Sequence, residues 1–140
     1  MKARTHGRAA AALLLTAAVG VSGCGGDLVN ATGRLTYKGK AVPSTLVIFL
    51  PEDGSRRSTG LTDDDGNFTM RFSRTHSGVK LGKHTVYLRY DVSAEEETHQ
   101  IPPKASRELR AVIARYGDPK TSPLHYEVTR SGQVFEIPLE

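Results

Sequence analysis

Apolar side chains recur at every second position through most of this chain, and that period of two commits it to β-strands. In Ala31-Thr-Gly-Arg-Leu-Thr-Tyr37, Leu35 and Tyr37 fall on one face and Arg34 and Thr36 on the other. Lys38-Gly39-Lys40 turns the chain, and Val42-Pro43 leads into Thr45-Leu-Val-Ile-Phe-Leu50, a strand buried on both faces or at the centre of a sandwich. Pro51-Glu-Asp-Gly54 is a turn, with proline fixing φ and glycine supplying a positive one. Ser58 to Thr62 is a short polar strand. Asp63-Asp-Asp-Gly66 turns into Asn67–Phe72, with Phe68, Met70 and Phe72 inward. Gly78 to Gly82 is expected as loop. Lys83–Tyr90 then presents Val86, Leu88 and Tyr90 to the core and points Tyr87 away.

The C-terminal part predicts a hairpin. Leu124, Tyr126 and Val128 alternate, Ser131-Gly132 turns, and Phe135, Ile137 and Leu139 alternate on the return. Pro138 has no N–H for a ladder, which places this last strand at an edge or ends it in a bulge. The expectation is an all-β fold: an antiparallel sandwich of about seven strands. One segment departs. Asp91 to Pro103 is polar, with Glu95-Glu96-Glu97 and Pro102-Pro103. After it Ser106 caps a helix over 106–116, in which Leu109, Val112, Ile113 and Tyr116 form one stripe and which Gly117 ends. Arg107, Arg110 and Arg115 decorate its other faces. The favoured placement packs this helix on an edge or end of the sandwich; the alternative is a surface helix touching anionic lipid or a partner.

Cys24 is the only cysteine, so no internal disulfide supports the fold. It follows Lys2, Arg4 and Arg8, an apolar run from Ala9 to Val21 that is too short to span a bilayer, and then Val21-Ser22-Gly23. This arrangement resembles the signal of bacterial lipoproteins. The resemblance implies cleavage between Gly23 and Cys24, a diacylglyceryl thioether on Cys24 and acylation, palmitate included, of the new amino group. Residues 1–23 are then a cleaved signal, 24–28 a lipidated cysteine and short tether, and 29–140 one domain, a size suited to a single core. Several acyl chains hold firmly, at about 0.8 kcal/mol per buried methylene. Gly25 stands where many lipoproteins kept in the inner membrane carry aspartate, so the sorting rule favours the outer membrane where the cell has one.

The formal charge of +4 belongs largely to the signal. Three of the 19 basic residues lie there and all 15 acidic ones lie outside it, which leaves the mature chain near neutrality. With its basic residues scattered along the sequence, nothing favours nucleic acid as a partner.

Four stretches carry a second resemblance: Gly33–Pro43, Val47–Asp53, Thr62–Phe68 and Tyr116–Leu124, the last in the form Tyr-x-Asp-Pro-x-x-Ser-Pro-Leu. Together they resemble bacterial lipoproteins with a carboxypeptidase regulatory-like, transthyretin-like domain. This implies a prealbumin-like β-sandwich. It implies no peptidase, since the regulatory domain of carboxypeptidases holds no catalytic residues. The helix between Pro103 and Tyr116 is a departure, and the insertion over 91–116 is where a private function would sit.

Chemistry-bearing patterns are few. Asp63, Asp65 and Asn67 offer oxygen donors at alternate positions, but a calcium loop of the EF-hand type needs glycine and glutamate where Phe68 and Arg74 stand. An Asx-rich turn explains them better. His76, His84, His99 and His125 lack the paired spacing of zinc sites. No Gly-x-Ser-x-Gly elbow or phosphate loop is present. Hydroxyisourate hydrolases of similar fold end in Tyr-Arg-Gly-Ser, whereas this chain ends Phe135-Glu-Ile-Pro-Leu-Glu140. Isopeptide-forming pilin sandwiches need Asn or Asp in the last strand, and residues 133–140 hold neither. There is no tryptophan for a sugar platform. The expectation is a membrane-tethered, non-enzymatic envelope protein without cofactor, with no catalytic residues, that binds or scaffolds an envelope protein or polysaccharide. The alternative is a small-ligand, glycan or calcium module using the loops at 63–67 and 91–103. An enzyme ranks third and needs a carboxylate such as Glu95–Glu97 buried against the helix.

Overall fold

The computed structural model describes residues 27–90 and 106–140. The cleavage site, Cys24 and the loop 91–103 therefore lie outside the described residues. Ten strands and one helix follow in order: β1 (Leu28–Val29), β2 (Ala31–Tyr37), β3 (Lys40–Ala41), β4 (Thr45–Pro51), β5 (Ser58–Leu61), β6 (Asn67–Thr69), β7 (Val79–Lys80), β8 (Gly82–Tyr90), α1 (Arg107–Tyr116), β9 (Leu124–Val128) and β10 (Gln133–Leu139). The fold is all-β and sandwich-like. Seven of its strands are three residues or longer.

One sheet runs β5-β4-β8-β9, all antiparallel, with β4 and β8 at its centre. That position explains the continuous apolar run of β4: Val47 and Phe49 face the core, while Ile48 is buried on the other side. The second sheet is built on β2, with β10 along one edge and β6 and β3 sharing the other. Inner faces meet in one core, where Leu35, Phe68, Phe135, Ile137 and Leu139 oppose Val47, Phe49, Val86, Leu88 and Val128. The Phe49 and Phe135 rings pack edge to face at 5.1 Å. Core residues and those packed against them run from Val29 to Leu139, so a chain starting at Gly25 keeps the whole core.

Three strand-level expectations are corrected. The C-terminal segments do not pair as a hairpin. β9 joins β8, whereas β10 crosses to the other sheet and runs parallel to β2, from Gln133 opposite Ala31 to Leu139 opposite Tyr37. The turn at Gly132, with φ of +74°, is held by its N–H donating to the Asn30 carbonyl, and β2 accepts the outgoing strand. Pro138 does sit on an edge, because among the described residues β10 has no strand neighbour beyond β2. Secondly, the expected loop 78–82 contains β7, which pairs with β1. Thirdly, the Asn67–Phe72 strand ends at Thr69; Phe72 is half-buried, with the Arg56 guanidinium 5.6 Å from its ring. Tyr87 points away from Val86 and Leu88 as expected and belongs to the other face of its sheet, 3% exposed and paired in register with the buried Ile48.

Two glycines make the core possible. A Cβ on Gly33 would lie 2.4 Å from Phe68 Cζ, and one on Gly60 would lie 2.9 Å from Phe68 Cδ2, so the Phe68 ring occupies the space their missing side chains leave.

The helix sits where its apolar stripe predicts. The Leu109 N–H donates to Ser106 Oγ at 3.1 Å, and Val112 and Tyr116 are buried in the common core. It packs on β8 and closes one end of the sandwich: Tyr116 Oη donates to the Glu140 carbonyl and accepts from the Glu140 N–H, both at 3.3 Å. The opposite end carries β1, the turn after β4, the loop between β6 and β7, and the Gly132 turn. β2 links the two ends, and seven residues at about 3.3 Å each set them roughly 20 Å apart. A helix at the far end from the N-terminal strand is the packed helix of the favoured expectation.

Candidate functional site

The Asp63–Gly66 turn is self-contained. Asp63 Oδ1 accepts the N–H groups of Asp65 at 3.0 Å and Asn67 at 2.8 Å, and the Asp63 carbonyl accepts from Gly66. Gly66 has φ of +78°, and a Cβ there would lie 2.4 Å from the Leu35 carbonyl oxygen, so both conformation and space demand glycine. Asp65 offers its backbone carbonyl to Arg34 Nε at 3.2 Å. This is the Asx turn that local hydrogen bonding favours. Among the described residues no three His, Cys, Asp or Glu side chains gather where an ion could be held.

The turn nonetheless rims an open cleft of about 580 Å³ on the outer face of the β2 sheet. Alternation sends Thr32 and Arg34 of β2, Asn67 and Thr69 of β6, and Val134 and Glu136 of β10 to this face. Val134 is 62% exposed, and Leu61 at the rim 47%. Guanidinium, carboxylate, amide and hydroxyl groups thus surround a small apolar floor. Such a surface suits a polar, hydroxyl-bearing ligand. Among the described residues neither histidine nor cysteine lines it.

A second cleft, of about 430 Å³, went unforeseen from the sequence. Arg56, Arg57, Arg71 and Arg74 line it with Thr59, Phe72 and Ser73. Reciprocal hydrogen bonds between Thr59 and Arg71, at 2.8 and 2.7 Å, join the β5 edge to the chain leaving β6 and so gather arginines from two separate turns. The expectation of scattered basic residues is corrected here. Among the described residues no carboxylate lines this cleft.

Other polar groups are structural. His84 is buried beside Phe49, ring centroids 5.7 Å apart, and its Nδ1 bonds the Gly82 carbonyl at 2.9 Å. A carbonyl only accepts, so Nδ1 carries the proton and Nε2 is the bare nitrogen of a neutral ring. Among the described residues Nε2 has no partner, and burial pushes the imidazole pKa below its ordinary 6.5. The Tyr116–Leu124 stretch, the most distinctive of the four in sequence, also does scaffold work. Asp118 Oδ1 accepts from Lys120 N–H, the Asp118 carbonyl accepts from Thr121 and Ser122, and the buried Ser122 hydroxyl donates to the Val86 carbonyl. A Cβ on Gly117 would lie 2.5 Å from the Ile113 carbonyl oxygen.

Among the described residues no helix is long and apolar enough to cross a membrane. Compared with known proteins, the chain matches no family model, no curated protein and no solved structure.

Proposed function

We propose that this chain is a lipid-anchored β-sandwich protein of the cell envelope, carried by Cys24 and acting by binding or scaffolding without catalysis. In this reading the fold is of the carboxypeptidase regulatory-like, transthyretin-like kind, and the outer membrane is the favoured location. One observation carries it. The described fold begins at Asp27, whose carbonyl accepts the Leu81 N–H at 2.8 Å, only three residues after the single cysteine that ends Val-Ser-Gly. A tether of three residues spans at most about 10 Å, so an acylated Cys24 would hold the β1 end of the sandwich against the bilayer. The helix end would then face away. The test is Cys24→Ser in cells. Loss of cleavage and of the acyl mass at residue 24, with release from the membrane fraction by carbonate wash, is expected. A variant processed and retained like the parent sinks the reading.

A second reading is favoured by the cleft beside the 63–67 turn. Its mix of Arg34, Glu136, Asn67 and Thr32 suits a glycan or small polar ligand on the outer face of the β2 sheet. Oligosaccharide titration followed by the chemical shifts of the β2, β6 and β10 amides tests it, and movement confined to those strands would promote it.

A further inference from the structure

The arginine cleft lies at the β1 end. Arg56 and Arg57 follow the turn that closes β4, while Arg71 and Arg74 precede β7, the partner of β1. At Gly78 the chain passes so close to Val29 that a Cβ would stand 2.8 Å from the Val29 carbonyl oxygen. The cleft wall is also fixed in shape. Phe72 and Ser73 N–H groups donate to the His76 carbonyl, and Ser73 Oγ accepts the His76 N–H at 3.0 Å. The Phe72 ring lies under Arg56, and Arg71 Nη2 reaches the Arg74 carbonyl at 3.4 Å. Arg56, Arg57, Arg71 and Arg74 are exposed. Four like charges around one concavity repel one another, and a bound polyanion relieves that repulsion. In the turn that closes β4, Asp53 pairs with Lys80 at 2.7 Å.

We infer that Arg56, Arg57, Arg71 and Arg74 form a docking surface for the phosphate groups of anionic lipid headgroups on the bilayer that carries the anchor. The orientation rests on the lipid-anchored reading, since an acylated Cys24 places this end at the membrane surface. Guanidinium forks match phosphate oxygens two at a time, which suits a crowded headgroup layer. The Phe72 ring adds an apolar wall between them. Docking through this cleft would fix the tilt of the sandwich and turn the helix end outward.

The test uses the chain from Gly25 to Glu140, which keeps the whole core and lacks the acylated residue, so its outcome is independent of whether Cys24 is modified. Sedimentation with phosphatidylcholine vesicles is compared with vesicles containing phosphatidylglycerol at about 30%. Binding to the anionic vesicles only, abolished near 1 M salt where the screening length falls to about 3 Å, is expected. A basic residue at an anionic surface contributes about fivefold in affinity, so Arg56→Gln with Arg74→Gln weakens binding about 25-fold. The same charge change at the other end, Lys40→Gln with Arg107→Gln, leaves it unaltered. Equal binding to both vesicle types, or equal loss with the two double variants, overturns the proposal. Retention on a soluble anionic polysaccharide without vesicle binding overturns it in favour of a glycan.

Discussion

The two ends of this sandwich are built from different physics. At the helix end, buried groups interlock: Val112 and Tyr116 enter the core, Glu140 is bonded through both backbone groups to the Tyr116 hydroxyl, and Gly117 admits no side chain. At the β1 end the elements are two-residue strands and turns, and the conspicuous feature is charge, with four arginines about one concavity. Stability concentrates where the fold is closed by packing, and capacity for contact where it is closed by turns. Substitutions in the helix-end core should therefore act on folding, and substitutions in the arginine cleft on binding.

The sharpest way to break this contrast is Tyr116→Ala. Loss of a buried aromatic should destabilise by about 3–5 kcal/mol in urea unfolding. Tyr116→Phe, which removes only the hydroxyl, should cost about 0.5–1.5 kcal/mol. Gly117→Ala forces the C-terminal turn of the helix apart and should destabilise by about 1–3 kcal/mol, as overpacking does elsewhere. Ser106→Ala removes the cap of the same helix and should cost about 1 kcal/mol. If any of these weakened vesicle binding as strongly as stability, the division between ends would fail.

The β1 end offers a pH test. Burial lowers the His84 pKa, so the unfolded chain takes up its proton at a higher pH than the native one. The stability this group contributes is complete above 6.5, its unfolded value, and is lost progressively as pH falls below it. Urea midpoints of the parent should drop between pH 7.5 and 5. His84→Asn, whose amide can donate to the Gly82 carbonyl without titrating, should flatten that slope. Smallest of all, Arg56→Gln with Arg74→Gln should move the stability read from urea unfolding by less than about 0.5 kcal/mol, since both side chains are exposed and eased repulsion offsets the lost Arg56–Phe72 contact. A larger shift there would make the arginines part of the scaffold.

Much of the architecture was legible because alternation is a local signal. β2, β4, β8 and α1 fall within a residue or so of their expected spans, as does the Ser106 cap, since side-chain period and capping chemistry are written in adjacent residues. Pairing was not. Ser131-Gly132 has the chemistry of a two-residue hairpin turn, and nothing local reveals that Gly132 will donate to Asn30 and send β10 to the other sheet. Alternation also gave the direction of Tyr87, and the central place of β8 explains why that face is buried too. The Asp63 turn was readable because its hydrogen bonds stay within five residues. The arginine cleft was not, because it exists only once Thr59 and Arg71 bridge two separate turns.

The parallel pairing of β2 with β10 has a consequence for the order of assembly. The earliest long strand finds its edge partner only in the final residues, so the β2 sheet stays incomplete until the whole polypeptide is at hand. A nascent chain cannot finish this sheet before residues 133–139 have been made. Until then that edge of β2 waits for its parallel partner.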